Sequence, residues 1–414
     1  MPGKLNNSEE LGILVTGASG FLGSELVTRL LADTDVSAPK LRVLIRGRDA
    51  EAKFKKLQSK ILTSSKRINN QDLGRLELIK GDISLEQLGL GSAEFEALAK
   101  KTNKIFHSAA DTNLGQSLEQ ARSTNLAGTK QMLDLSARSA KFNSFENFFH
   151  VSTAYVAGDT TWTVDSSKIG LNQPFKNGYE QAKAESELLV RGSGLNHCIF
   201  RPSIIVGDSQ TGITTSFNVL YIPIKFLVRG FFSALPFNSQ TPFDVVPVNY
   251  VADSIASLSG FSFKNTEGKI IQASNRASNC YHLTVGVGQE SSPWEIVELV
   301  LKAFNRSKLS RFGSLHIPAL IPHEMLQLIH HSICVACTGV KGLEKIFTRK
   351  LAILAQVIPF LPYLIRNPQF DCYDTNRDLH VSVDRAPLFS SYAEKLFLYS
   401  LDSDWGRNPH LITA

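Results

Sequence analysis

The stretch GILVTGASGFLGSELVTRLLA, residues 12 to 32, constrains the fold more than any other. An aliphatic run ends in glycines at 17, 20 and 23, and a run with helical spacing of Leu and Val follows at once. A strand that turns directly into a helix uses such glycines for three things: the tight turn, the approach of backbone N–H groups to a ligand, and close helix packing. The helix N-terminus then offers positive potential to an anion such as a pyrophosphate. A generic strand-to-helix turn is the alternative. The position of the loop, after the first strand and ahead of the first helix, disfavours it. Gly17, Ser19, Gly20, Phe21, Leu22 and Gly23 are therefore expected to cradle the phosphates of a dinucleotide.

The first half of the chain repeats this alternation. GILVTG (12–17), LRVLIR (41–46), RLELIKGD (75–82), KIFHSAA (104–110), NFFHVST (147–153) and HCIFRPSIIVG (197–207) read as buried strands. Helix-like stretches of crossover length lie between them. The expected fold is α/β, a doubly wound parallel Rossmann-type sheet with a mostly helical C-terminal region. After Gly207 the pattern changes: residues 209–224, SQTGITTSFNVLYIPI, carry no charge. FDVVPVNYVADSIASL reads as a strand and helix returning to the first domain, and CYHLTVG (280–286) as a late sheet strand. Ser292 and Pro293 are placed to start a helix in SSPWEIVELVLKAFN. The division expected is a nucleotide-binding domain at 10–207 with returning segments at about 244–290, an apolar substrate cover at 208–243, and a region at 291–414 that contacts substrate or membrane.

Five cysteines, an odd number, and a polar N-terminus argue against a secreted disulfide framework and make a reducing cytosol the default compartment. Cys334 and Cys337 form a lone CxxC without two further ligands at zinc spacing, so they read as ordinary buried thiols. LAILAQVIPFLPYLI (351–365) is uncharged but falls short of the roughly 20 residues that span a bilayer, and it contains Pro359 and Pro362. It reads as buried core or an acyl-chain pocket. Peripheral membrane contact through Lys345, Arg349, Lys350 and Arg366 is the alternative.

The charge of +6 is concentrated. Lys40, Arg42, Arg46, Arg48, Lys53, Lys55, Lys56, Lys60, Lys66 and Arg67 face only Asp49 and Glu51 within 40–67, which suits either phosphates or a solvated helix face. No nucleic-acid-binding pattern accompanies them. An acid at the end of the second strand would bind the ribose hydroxyls of NAD, but this chain has Arg46 there and Arg48 two residues on. A guanidinium matches a 2′-phosphate in charge and in hydrogen-bond geometry, so NADPH is favoured. NADH is the alternative if Asp49 turns inward.

Tyr179 and Lys183 lie four apart in NGYEQAKAESELLV, so they share one face of any helix formed there. Taken with TGASGFLG, KGDIS, FHSAAD, STNLAGT, FFHVSTAYVAGD, GYEQAK and FRPSIIVGDSQTG, in that order and spacing, the chain resembles the extended short-chain dehydrogenase/reductases. Within them it is most similar to the fatty acyl reductase and thioester reductase branch, and FLPYLIRNPQFDCYDTNRDL is similar to the C-terminal region of fatty acyl reductases. The resemblance implies Thr153, Tyr179 and Lys183 as the catalytic set. It also implies that Asp82 and Ile83 meet the adenine, that Ser108, Ala109 and Ala110 line the cofactor groove, that Asn125 braces the active-site loop, and that Pro202, Ser203 and Ile204 approach the carboxamide. Tyr179 and Lys183 count among the cofactor-binding residues as well.

The chemistry asks for these residue types. Hydride addition to a carbonyl creates an oxyanion that needs a proton, and a phenol becomes a useful donor when a neighbouring ammonium stabilises its anion. Thr153 would add a second hydrogen bond to the reacting oxygen. Strand alternation sends the adjacent Ser152 to the opposite face. His107 and His150 read as structural. Ala182 stands where many relatives have Ser or Thr.

The uncharged cover fits an apolar substrate better than a sugar nucleotide. The leading expectation is an NADPH-dependent reductase of acyl thioesters on coenzyme A or an acyl carrier protein, giving aldehyde or alcohol. The alternatives are a reductase or dehydrogenase of a lipid-like ketone or hydroxyl, a sugar-nucleotide epimerase or dehydratase, and a non-enzymatic NADP-binding regulator.

Overall fold

The computed structural model describes residues 11–33, 39–64, 68–142, 145–217, 219–230, 234–236, 238, 240–265, 268–307, 315, 319–321, 357–379 and 382–407. The first strand, β1 (Gly12–Thr16), is buried at every position and leads through the glycine loop into α1 (Phe21–Leu31). Then follow β2 (Lys40–Ile45), α2 (Ala50–Ser64), β3 (Leu76–Lys80), α3 (Ser92–Lys100), β4 (Thr102–His107), α4 (Ala127–Ala140), β5 (Asn147–Val151), α5 (Gly178–Gly192) and β6 (His197–Pro202). After β7 (Ile204–Val206), α6 (Tyr221–Val228), β8 (Val245–Pro247) and α7 (Val248–Leu258), the chain returns to the sheet as β9 (Cys280–Leu283). The sheet is seven-stranded and parallel, in the order β3-β2-β1-β4-β5-β6-β9.

Side-chain alternation divides the strands between two cores. Ile13 and Val15 of β1 point to one face and pack with Leu26 and Leu30 of α1, Leu57 and Ile61 of α2, and Val251 and Ile255 of α7. Leu14 points to the other, with Ile105, Phe148 and Ile199 from neighbouring strands, Phe95 and Leu98 of α3, and Met132 and Leu135 of α4. Burial on both faces is why these strands read as continuous apolar runs.

The stretch 197–207 is not one strand, as its sequence suggests. Pro202 has no N–H to extend the ladder. After it the chain leaves the sheet at Ser203, and β7 pairs in parallel with β8 instead. The returning strand at 245–247 therefore builds a second, two-stranded ladder beside the main sheet.

That ladder anchors the C-terminal part. α8 (Pro293–Arg306) starts as expected, with Ser292 Oγ accepting the Glu295 N–H at 3.1 Å and Pro293 in the first turn. Ile296, Val300 and Phe304 of α8 meet Ile204, Val206 and Val245 of the ladder. They also meet Phe389, Tyr392 and Leu396 of the last helix, Phe389–Asp402. Cys334, Cys337, Lys345, Arg349, Lys350 and residues 351–356 lie outside the described residues. Among the described residues no helix is long and apolar enough to cross a membrane, and no cluster of His, Cys, Asp and Glu could hold a metal.

The basic cluster at 40–67 disperses. Arg42 is buried against Glu77 and the Lys101 carbonyl, Lys60 turns to Ser24 and Glu25 of α1, and Lys53 pairs with Asp49. Arg46 and Arg48 are exposed beyond the end of β2. Lys66 and Arg67 are outside the described residues.

Candidate active site

A cavity of about 590 Å³ runs along the carboxyl edge of the sheet. Gly17, Ser19, Gly20, Phe21, Leu22 and Gly23 form one wall, and Arg46 and Ile83 stand at the same end. Ser108, Ala109 and Ala110 follow β4, and Pro202, Ser203 and Ile204 follow β6. Thr153, Tyr179 and Lys183 line it as well. Three residues expected at the cofactor are not on its lining: Arg48, Asp82 and Asn125.

Asp82 Oδ1 instead accepts from the backbone N–H and hydroxyl of Ser84, which shapes the turn that presents Ile83. Asn125 acts one layer back. Buried, it exchanges two hydrogen bonds with the backbone of Asp111, at 2.8 and 2.9 Å, and so holds the loop after β4 in place.

The glycine loop is shaped for close approach. Gly17 has φ +73°, and a Cβ there would lie 2.7 Å from the Ala109 backbone nitrogen. A Cβ at Gly23 would stand 2.1 Å from the Gly17 carbonyl oxygen. α1 begins at Gly20 with no side-chain cap, so no side chain competes with an incoming anion for its first-turn N–H groups. Asp49 does not turn inward; it is exposed and its carboxylate is 2.8 Å from Lys53 Nζ.

Thr153 caps a short turn at 154–157: its Oγ1 accepts the Tyr155 N–H at 3.3 Å and donates to the Pro202 carbonyl at 3.5 Å. Ser152 also borders the cavity, which the alternation argument did not foresee, because regular strand geometry ends at Val151. Tyr179 sits in the first turn of α5, whose N-cap Asn177 accepts the Glu180 N–H. Burial and the neighbouring Glu180 raise the Tyr179 phenol pKa above its ordinary value.

Lys183 is 2% exposed and donates to the Val151 carbonyl at 2.8 Å. Burial pushes its pKa down to about 8, against the pull of Glu187. His150 Nε2 lies 3.4 Å from the same ammonium. Burial first, then Lys183, keep His150 neutral, so its lone pair can accept from Lys183 and it braces that side chain. His107 lies between the hydroxyls of Thr16 and Thr129, and burial brings its pKa to about 3.

Sequence reasoning missed a polar group around Glu180. Its carboxylate accepts from the Tyr363 hydroxyl at 2.5 Å and from the Lys176 N–H at 3.0 Å, and burial raises its pKa to about 7. Tyr363 borders the cavity from the C-terminal region. Asp244 was missed too: buried, it accepts from Ser203 Oγ at 2.5 Å and the Val285 N–H at 3.2 Å, and burial raises it to about 7. The one available signal was an acid directly after the motif tyrosine; the rest depends on distant chain segments.

A family model described as "Male sterility protein", of the NAD-binding type, matches residues 15–255. Fatty acyl-CoA reductase 1 of Gallus gallus is 27% identical over 344 residues, covering 73% of this chain and 63% of that protein. Nonribosomal peptide synthetase asaC of Aspergillus flavus is 30% identical over 256 residues, 59% of this chain and 24% of that protein. This chain thus spans less than two thirds of either relative's length. Among solved structures, the terminal R domain from the myxalamid PKS-NRPS biosynthetic pathway superposes with a TM-score of 0.73 at 23% identity, over 98% of this chain and 94% of that one. UDP-glucuronic acid 4-epimerase from Bacillus cereus superposes at 0.58 and 17% identity, over 97% of this chain and 100% of that one. At these identities the structural likeness speaks to the fold alone.

Proposed function

The chain belongs to the male sterility protein family of NAD-binding reductases, and on that premise we propose that it reduces acyl thioesters, carried on coenzyme A or an acyl carrier protein, with NADPH. The observation that carries the reading is the convergence of Thr153, Tyr179 and Lys183 on one cavity whose other end holds an uncapped glycine loop.

The residues fit a dinucleotide: a Cβ at Gly17 or Gly23 would strike the backbone of Ala109 or of Gly17, so glycine there lets the loop pack tightly and present its backbone along the cavity wall. Bound there, the cofactor supplies a hydride to the carbonyl carbon. Arg46, at the adenosine end of the cavity, favours a 2′-phosphate, and the acid that would favour NAD is engaged with Lys53. Tyr179, held protonated by its surroundings, gives its proton to the oxygen of the substrate. Lys183 keeps its ammonium directed by the Val151 carbonyl and His150, and stabilises the phenolate left behind. Thr153 Oγ1, its hydrogen turned away from the Pro202 carbonyl 3.5 Å away, supplies a second hydrogen bond to that oxygen. The phenolate then takes the hemithioacetal hydroxyl proton back as the C–S bond breaks, giving an aldehyde and a thiolate that takes a proton from water.

The uncharged segment supports a lipid-like substrate: Ser216 and Val219 from it border the cavity and bring no charge there. In this assignment residues 10–207 and 244–290 hold the cofactor, 208–243 cover the substrate, and 291–414 complete its site. Purified protein with NADPH and palmitoyl-coenzyme A tests it by following NADPH absorbance and free thiol together. Equal loss of NADPH and release of thiol is the expected result. Turnover of ketones without any thioester turnover would overturn it.

A further inference from the structure

Beside the main cavity lies a smaller apolar one, of about 50 Å³, between α6 and α8. Ile224, Leu227, Phe243, Ile296, Val297 and Leu364 form most of its wall, and Tyr363 brings its single polar side-chain atom. Two residues, Val219 and Tyr363, border both cavities. They form the partition.

The Tyr363 side of the partition is fixed. Its hydroxyl donates to Glu180 at 2.5 Å and accepts from Asn177 Nδ2 at 2.8 Å, so it is fully engaged with the N-terminus of α5. The ring stands edge-on to Tyr155 at 5.1 Å and beneath Lys176 Nζ at 4.5 Å. Lys176 in turn bonds the Arg366 carbonyl and Asn367 Oδ1. The Val219 side is strained: a β-branched residue at φ +38°.

We propose that the small cavity is the distal end of the acyl subsite, and that Tyr363, tethered by Glu180, is the gate that sets acyl-chain length. The inference rests on the thioester reading above. Its physical basis is the uncharged wall, which suits an alkyl tail and disfavours any charged group, and its continuity with the site of chemistry through a two-residue partition. At about 10 to 15 Å³ for each water-sized group, the cavity adds room for roughly three to five such groups. Tyr363 is a specificity residue here, and Glu180 a positioning residue acting through it.

The test compares Tyr363→Ala, Tyr363→Phe and Glu180→Leu with the wild type, in two measurements. The first is the ratio of kcat/KM for dodecanoyl- to hexanoyl-coenzyme A. The second is the calorimetric Kd of free fatty acids from hexanoate to hexadecanoate, which needs no turnover. Tyr363→Ala should join the cavities and extend the gain of about fourfold per methylene over about three more carbons, raising the ratio about 60-fold. The Phe and Glu180→Leu variants both keep the ring and lose the Tyr363–Glu180 hydrogen bond, so both should free the ring and fall between the wild type and Tyr363→Ala. If Tyr363→Ala does not fold, Tyr363→Val, which keeps apolar packing, replaces it. Unmoved length profiles in both measurements would overturn the gate. Fatty-acid profiles that move while no thioester is reduced would keep the subsite and sink the thioester reading instead.

Discussion

Tyr179 and Asp244 are both kept protonated by burial, and the consequences differ. At Tyr179 the retained proton is the one the reaction uses, so Tyr179→Phe should lower kcat by about 10²- to 10⁴-fold. NADPH affinity, read by fluorescence titration, should change only a few-fold. Lys183 must stay charged beside it. With its pKa pushed down to about 8 by burial, activity should fall above about pH 8, and a pH profile of kcat/KM checks this. At Asp244 the sign runs the other way. A carboxyl raised from 3.8 to about 7 in the fold holds a proton that the unfolded chain releases between those values, so its contribution to stability declines as pH rises from about 4 to 7. Asp244→Asn keeps an acceptor for Ser203 and Val285 and carries no charge to suppress. It should flatten that decline and exceed the wild type in urea stability at pH 7.5, by up to the order of 4 kcal/mol. Thr153, Tyr179 and Lys183 were legible in the sequence because their spacing is tied to a strand end and a helix turn. Glu180, Tyr363 and Asp244 were not, since their partners lie 183, 183 and 41 residues away along the chain.

Among the elements, α1 and α7 show how the phosphate loop is held. Arg29 of α1, 2% exposed, bonds Asp253 of α7 at 2.8 Å and Glu25 of its own helix at 2.6 Å. Glu25 also has Lys60, whereas the buried Asp253 depends on Arg29 for its charge compensation. Arg29→Met should therefore cost about 3 to 5 kcal/mol in urea unfolding, and Arg29→Met with Asp253→Leu should recover most of it. Recovery in the double variant would distinguish a stranded carboxylate from lost packing. The strand ends show where element reading stopped. Apolar runs marked β1, β2 and β5 well, because both faces of each are covered. The run at 197–207 is just as apolar, yet the missing N–H of Pro202 and the side chain of Asp244 divide it into two strands with different partners. Ala182 is fully buried in α5, and a Ser or Thr there would have to satisfy its hydroxyl within the helix.

Across the whole molecule, one cavity joins segments from residue 17 to residue 363, so occupancy of one end should stabilise the assembly around it. A ligand that binds the native state alone adds about 2.7 kcal/mol at a concentration 100 times its Kd. The cofactor therefore serves as a probe of its own recognition without any turnover. Arg46 borders the cavity at the adenosine end, and Arg48 does not. Charge-assisted pairing to a 2′-phosphate should then depend on Arg46, with Arg48 adding only a weak, screened attraction. In thermal denaturation, NADPH should raise Tm well above the shift given by NADH at the same concentration. Arg46→Ser should bring the two shifts together, whereas Arg48→Ser should leave most of the difference. Equal shifts for both cofactors in the wild type would mean that the exposed end of β2 does not read the 2′-phosphate, and that Asp49 leaves Lys53 to bind the ribose of NAD.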